Sequence, residues 1–131
     1  MMQSGKSPPT APSRQNVRLS WLSEGLLEIM FQGRLDAEAL EATVKQLAAM
    51  TEHTRLDSVL IDGLEVDGYT SHVGSPAGRV ILLARQRGVR EVVFVIGSDA
   101  NRMIAASVAF ASQVPLKVFP TRGEALAYLR V

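Results

Sequence analysis

The sequence predicts a single α/β domain, in which a mixed, mostly parallel sheet of about five strands packs against about four helices in the order β-β-α-β-α-β-α-β-α. Apolar, β-branched segments alternate with segments of helical periodicity, which is typical of strands joined by right-handed helical crossovers. The first two apolar segments are separated only by the turn sequence Ser-Glu-Gly at residues 23–25, so they are predicted to form a hairpin. The 131 residues can bury one core and show no internal repeat.

The strands are recognised either by alternation or by a continuous apolar run. In the first strand, Val17, Leu19 and Trp21 point to one side and the polar residues between them to the other, as in a half-buried strand. The fourth is nearly all apolar and β-branched, as expected of a central strand covered on both faces. The predicted strands are residues 17–22, 26–32, 56–61, 91–96 and 116–119.

Three of the helices are predicted from a capping residue followed by apolar residues at helical spacing. Asp36 is the N-cap of the first helix, because its carboxylate can accept from free amides of the first turn. Ser98 or Asp99 caps the third helix, and Thr121 with Glu124 forms a capping box at the start of the fourth. These helices are predicted over residues 37–50, 100–112 and 122–129.

The second helix is predicted to have Ser75 as its N-cap and Pro76 at its first position, where the missing N–H is not needed. Gly88 ends this helix at the C′ position. For the third helix, periodicity predicts an inner surface made of Met103, Ile104, Ser107, Val108, Phe110 and Ala111.

The first 16 residues differ in composition from the rest of the chain. Residues 1–16 are rich in Ser, Pro, Gln and basic residues and have few large apolar ones. Such a segment cannot bury enough surface to offset its ordering entropy. We therefore expect a disordered tail at residues 1–16 and a folded domain at residues 17–131, with a docking peptide as the alternative role of the tail.

Composition and charge argue against several classes of protein. The formal net charge of +1 is unlike that of a dedicated nucleic-acid binder. The chain has no cysteine, which excludes disulfides, thiolate chemistry and cysteine-ligated zinc. No apolar run approaches the roughly 20 residues of a membrane span, and the N-terminus lacks an apolar signal core. We therefore expect a cytoplasmic protein without a membrane span and without nucleic acid as a partner.

Residues 62–79, between the third strand and the second helix, are the best candidate for a site. They contain glycines, hydroxyl side chains and one of the two histidines. The start of the second helix, at the carboxyl end of a central strand, is where anions, ligands and partners bind in open α/β sheets. The candidate binding residues are Thr70, Ser71, His72, Gly74, Ser75 and Arg79, and the candidate phosphorylation sites are Thr70, Ser71 and Ser75.

No catalytic or cofactor motif is found in the sequence. The glycines do not have Rossmann or Walker spacing, and there is no nucleophile elbow. Asp67, Ser71 and His72 could suggest a catalytic set, but neighbours in one loop rarely hold the geometry that a triad needs. His53 and His72 are far apart and lack a second ligand at helical spacing. We therefore expect no catalytic residue, no metal and no cofactor.

Three segments resemble those of a known family. They are Gly-Arg-Leu-Asp at residues 33–36, which precedes the first helix, the strand Ser-Val-Leu-Ile-Asp at 58–62, and Val-Val-Phe-Val-Ile-Gly-Ser at 92–98. Together with the element order over about residues 24–130, they resemble a STAS domain, the fold of the bacterial anti-sigma-factor antagonists. The resemblance implies a bacterial signalling module whose partner is a regulatory kinase, an anti-sigma-like protein or a scaffold protein.

In that family, a partner kinase phosphorylates a Ser or Thr at the start of the second helix, and the phosphate blocks partner binding. The family's loop reads Asp-Ser-Ser-Gly or Asp-Ser-Thr-Gly, whereas residues 71–74 read Ser-His-Val-Gly. Val73 stands at the position of the phosphorylated hydroxyl, so the standard acceptor is missing.

Two functional hypotheses follow. The first is a non-catalytic regulatory module that binds a protein partner through the loop at residues 66–80 and the second helix, with Arg79, Arg85 and Arg87 available to an acidic partner. The alternative is a protein that binds a small ligand, a lipid or an anion, at the carboxyl edge of the sheet. Residues 67–69 (Asp-Gly-Tyr) resemble an Asp-Gly-Trp sequence of the lipid-binding, Sec14-like branch. The exposed edge at Trp21 is a candidate for weak homodimerisation.

Overall fold

The computed structural model of the protein describes residues 16–131. The predicted tail therefore lies outside the described residues, except for Asn16, whose carbonyl accepts from the Gln32 N–H at 2.8 Å. The elements are β1 (Val17–Ser23), β2 (Leu26–Leu35), α1 (Ala37–Met50), β3 (Ser58–Tyr69), α2 (Gly74–Gln86), β4 (Val92–Val95), α3 (Asp99–Ser112), β5 (Leu116–Phe119) and α4 (Arg122–Leu129). The predicted order of strands and helices is confirmed.

The sheet is mixed, as predicted, with the strand order β1-β2-β3-β4-β5. β1 and β2 form the antiparallel hairpin, and the remaining neighbours are parallel. The four parallel strands therefore place their carboxyl ends at one edge of the sheet, which we call the carboxyl edge.

β3 is much longer than predicted. The prediction ended the strand at Ile61, but β3 continues to Tyr69 because β2 also runs on to Leu35 and pairs with it, Leu35 opposite Tyr69. Half of the stretch that was interpreted as a loop is therefore strand, and the loop that joins β3 to α2 is only residues 70–73. Backbone pairing with β2 determines where β3 ends, and the side-chain pattern of β3 gives no sign of this extension.

Helices cover both faces of the sheet. The larger core includes Leu40 of α1, Val80 of α2 and Ala105 of α3, packed on residues of β2, β3 and β4. A smaller core on the other face joins Ala125 of α4 to alternate residues of β3 and β4, including Leu60. Every residue of β4 is buried, which confirms the prediction of a central strand. Within residues 16–131, no helix is long and apolar enough to cross a bilayer.

Three of the predicted caps are present. Asp36 accepts from the Ala39 N–H at 2.8 Å, and Ser98 accepts from the Asn101 N–H at 3.1 Å. The Thr121 hydroxyl accepts from the backbone N–H of Glu124 and donates to the carboxylate of the same residue, so the two residues of the predicted capping box are paired and Thr121 is the N-cap. These caps fix the start of α1, α3 and α4.

The predicted start of α2 is wrong. This helix begins at Gly74, and Val73 occupies the N-cap position with helical dihedral angles and no side-chain hydrogen bond. Ser75 lies inside the first turn, where its Oγ accepts from Arg79 Nη1 at 3.2 Å. Pro76 is tolerated at the third position because the first-turn amides need no partner within the helix, so a proline does not by itself define the first residue.

The predicted inner surface of α3 is also largely wrong. Met103 and Phe110 are 70% and 87% exposed, and Ser107 and Ala111 are exposed as well. The buried residues of the helix are Ala105 and Ala109, which let its backbone approach the sheet closely. Ile104 and Val108 are half-buried, as an inner position requires.

We expect Phe110→Ser to change the free energy of unfolding by less than about 0.5 kcal/mol, because the ring makes little buried contact. Phe94→Ala, at a position that is 7% exposed, is the matched comparison and should cost about 3 to 5 kcal/mol. Urea denaturation of both variants measures the difference. Equal losses would show that α3 faces the core with Phe110.

Candidate functional site

The loop at residues 70–73 leaves β3 at the carboxyl edge, where Thr70 anchors it to β2. The Thr70 N–H donates to the Leu35 carbonyl at 2.9 Å, and its hydroxyl reaches the same oxygen at 3.4 Å. The Thr70 side chain is half-buried. Of the predicted site residues, Thr70 therefore has a structural role in closing the end of β2.

Ser71 and His72 form the exposed tip of the loop. His72 has a left-handed backbone with φ of 66°, a conformation that a non-glycine residue adopts mainly in tight turns. Both side chains are exposed. Within residues 16–131, no hydrogen bond joins Asp67, Ser71 and His72 to one another, and no group of three His, Cys, Asp or Glu residues could hold a metal ion. These three described residues therefore do not have the geometry of a catalytic triad.

Val73 turns from this tip toward the core. Its side chain is half-buried and packs against the larger core cluster. The family resemblance places the phosphorylated hydroxyl at this position. Here the position holds an apolar, half-buried side chain instead of an exposed hydroxyl.

The first turn of α2 completes the exposed surface. Gly74 has open space around its Cα, and Ser75 and Arg79 are exposed. Arg79 Nη2 also lies 3.2 Å from Glu41 Oε2 of α1, in a pair whose side chains are 48% and 57% exposed. Such an exposed pair contributes little to stability, so a partner can displace Glu41 at low cost. The structure thus places Ser71, His72, Gly74, Ser75 and Arg79 on one exposed surface.

Below this surface is a cavity that was not predicted, which we call the edge cavity. Its volume is about 80 Å³, it is partly open to solvent, and β2, β3, β4, α1, α2 and α3 contribute to its lining. Almost all of the lining is apolar, and it includes Leu35, Val66, Val73, Ala77, Ile104 and Val108. No residue pattern signals such a cavity, because it arises from the separation of α2 and α3 above the strand ends.

Two polar side chains line the edge cavity, Tyr69 and Asn101. Burial raises the pKa of the Tyr69 phenol, which therefore stays neutral at ordinary pH. Asn101 donates from Nδ2 to the Val66 carbonyl at 3.3 Å. Because no described residue of the lining is charged, the cavity suits an apolar group and not an anion.

A buried charge cluster on the opposite face was also missed. Arg122, in the first turn of α4, donates from Nε and Nη2 to both carboxylate oxygens of Glu28 at 2.9 and 3.0 Å. Asp62 lies 4.0 Å from the same guanidinium and accepts from the Leu64 N–H at 3.1 Å. The hydrogen bond to Glu28 is the main reason that the pKa of Arg122 is raised. This cluster ties α4 to β2 and β3 on the face of the sheet opposite α2 and α3.

Comparisons with known proteins agree with the fold. No protein-family model and no curated protein matches the sequence. Among solved structures, the chain is similar to an uncharacterised DUF3478-family protein with a SpoIIAA-like fold from Shewanella loihica PV-4, with 18% identity, a TM-score of 0.65 and coverage of 86% of this chain and 91% of that one.

The chain is also similar to the anti-sigma factor antagonist SpoIIAA in its unphosphorylated form, with 14% identity, a TM-score of 0.67 and coverage of 87% of this chain and 97% of that one. For the phosphorylated form of the Bacillus cell fate determinant SpoIIAA, the identity is 17%, the TM-score 0.62 and the coverage 87% and 99%. The chain therefore has a STAS-like fold of the SpoIIAA type, as the sequence resemblance predicted.

Proposed function

We propose that this protein is a non-catalytic regulatory module that binds a protein partner through residues 66–80, which comprise the end of β3, the exposed loop and the first turns of α2. The observation that carries the proposal is the exposed surface of Ser71, His72, Gly74, Ser75 and Arg79 at the carboxyl edge of a STAS-like fold. We expect the partner to be a regulatory kinase, an anti-sigma-like protein or a scaffold protein, and the site of action to be the bacterial cytoplasm.

The standard phosphoswitch is not part of this proposal, because Val73 replaces the acceptor and packs into the cavity wall. Among the three candidate hydroxyls, Ser75 is best placed. Its Oγ is exposed and lies 3.2 Å from the Arg79 guanidinium, at the positive end of the α2 dipole. A phosphate there would compete with Glu41 for Arg79. Phosphopeptide mapping of protein from its own cells tests Ser75 against Ser71 and Thr70.

Affinity capture tests the partner surface. We expect the wild-type protein to capture a defined partner. The double variant Ser75→Ala, Arg79→Ala should capture at least about ten-fold less of that partner, because an interface usually depends on a few central residues. Arg90→Ala is the matched control, since Arg90 is an exposed arginine that precedes β4, at the opposite edge. If the double variant captures the same partners as the wild type, the proposal is wrong.

The apolar lining of the edge cavity favours a second candidate, the binding of a small apolar ligand at the same edge. Native mass spectrometry of freshly purified protein tests it directly. A bound mass, with a thermal shift on adding the identified lipid, would support this candidate. The apo mass alone, with no shift across a lipid panel, would count against it.

A further inference from the structure

We propose that the partner inserts one branched aliphatic side chain, of the size of leucine or isoleucine, into the edge cavity, and that basic residues flank this anchor. The inference rests on the proposed function, since it names what the partner presents to the same surface. Gly74 belongs both to this surface and to the lining, and the lining residues Val73 and Ala77 lie between the exposed residues of the surface along the chain, so a segment that lies across residues 70–80 covers the cavity.

The volume of the cavity selects a small occupant. At about 80 Å³, the edge cavity is about half of the roughly 150 Å³ that accommodates a benzene ring in an engineered cavity. By this comparison about three carbon atoms fit into the cavity. The branched tip of a leucine or isoleucine side chain beyond its Cβ has this size, whereas a nucleobase, a sugar or a complete acyl chain is too large.

The lining selects an apolar tip. A lysine or carboxylate inserted here would lose its water and find no opposite charge, because Tyr69 and Asn101 are the only polar side chains among the described lining residues and Asn101 already donates to Val66. A partner that fills the cavity with a branched aliphatic side chain should therefore bind about ten-fold to a hundred-fold more tightly than the same partner with alanine at that position.

The charges near the cavity select the flanking residues. Seven carboxylates stand within two residues of a lining residue, namely Asp36, Glu38, Glu41, Asp62, Glu65, Asp67 and Asp99. Three arginines, Arg34, Arg79 and Arg102, occupy equivalent positions. Glu41 is paired with Arg79, and Asp62 lies beside Arg122 on the opposite face of the sheet, which leaves more carboxylates than arginines near the cavity. The excess of negative charge favours a segment with Lys or Arg beside its anchor, because complementary charge fixes the register of a bound chain. Arg79 can exchange Glu41 for a carbonyl oxygen of the same segment, so it does not require an acidic residue next to the anchor.

A displayed library of random heptapeptides, selected on the full-length protein, is the probe for this inference. We expect enriched peptides to share one Leu or Ile with a neighbouring Lys or Arg. The substitution Ala77→Leu, which fills the cavity from α2, should lower the affinity for these peptides at least about ten-fold, as measured by fluorescence anisotropy. Ala49→Leu adds the same group to an exposed position in the last turn of α1 and should change nothing.

Ile104→Phe fills the cavity from α3 and serves as a second variant where Ala77→Leu fails to fold. The inference is overturned by a selection without a consensus, by acidic flanks, or by equal binding to the wild-type and filled proteins. A lipid that co-purifies with the wild-type protein and is lost from Ala77→Leu would also overturn it, because the occupant would then be a ligand.

The same variants separate this inference from the proposed function. One outcome is that the double variant Ser75→Ala, Arg79→Ala loses a captured partner that the Ala77→Leu variant keeps. In that case the surface binds a protein without inserting a side chain into the edge cavity, and only the inference fails. If both proteins keep the partner, the proposed function fails.

Discussion

Replacing Arg122 with alanine is expected to lower the free energy of unfolding by about 2 to 3 kcal/mol. The guanidinium is the hydrogen-bonding partner of Glu28, whose side chain is 6% exposed, and it lies beside the equally buried Asp62. Without it, two buried carboxylates lose the positive charge beside them. The loss is smaller than the roughly 3 to 5 kcal/mol of a fully buried pair, because the Arg122 side chain is 40% exposed and water screens it.

Urea denaturation of wild type, Arg122→Ala and Arg122→Lys measures this effect. Lysine keeps the charge but not the two-pronged hydrogen bond, so an intermediate stability is expected. Because the pKa of Arg122 is raised in the folded state, its contribution is fully present below its unfolded pKa and is lost only as the pH rises through the folded value, far above neutrality. The difference between wild type and Arg122→Ala should therefore stay constant from about pH 6 to about pH 9. A difference no larger than that of Arg90→Ala would contradict the role of the cluster.

Gly88→Ala is expected to cost about 2 to 3 kcal/mol or more. Gly88 has φ of 117°, in the region that side chains avoid, and it ends α2 at the C′ position as predicted. A Cβ there would lie 2.8 Å from the Leu56 carbonyl oxygen. Backbone must move to relieve that contact, which would strain the hydrogen bond from the Leu56 N–H to the Arg87 carbonyl.

Gly123→Ala is the matched control. Gly123 lies in the first turn of α4, where an added Cβ meets nothing within 4 Å and the backbone is not in the positive-φ region. The same chemical change should stabilise the protein by up to about 1 kcal/mol through helix propensity. Thermal unfolding of both variants is recorded under identical conditions. If the backbone at Gly88 is constrained as described, Gly88→Ala lowers the melting temperature relative to wild type and Gly123→Ala raises it.

Local patterns were sufficient to predict the element order, the hairpin and the central position of β4. The end of β3 was not predictable in this way, because residues 63–69 contain two glycines and two acids and are held as strand only by β2. The orientation of α3 was ambiguous for a different reason. Met103 and Phe110 on one side and Ile104 and Val108 on the other give two apolar stripes, and only the packing against the sheet selects one.

For the candidate site, the sequence predicted the loop and the absence of a hydroxyl at Val73. The edge cavity was not predictable, because it depends on how far α2 and α3 stand apart above the strand ends. The cluster of Glu28 and Arg122 joins residues 94 positions apart, so no local motif contains it. Sequence patterns thus identified the exposed residues of the surface but neither of the two buried features.

The unequal pairing of β3 along its length has a consequence for hydrogen exchange. Val59–Asp62 has a neighbouring strand on both sides, whereas Glu65–Tyr69 pairs with β2 alone. Amide protons in the first half should exchange only when the whole molecule unfolds, and those in the second half through low-energy local opening. The first half of β3 is therefore expected to be among the slowest-exchanging parts of the domain, and the second half to open locally. Tyr69 lies in the half that opens, next to the surface where binding is proposed.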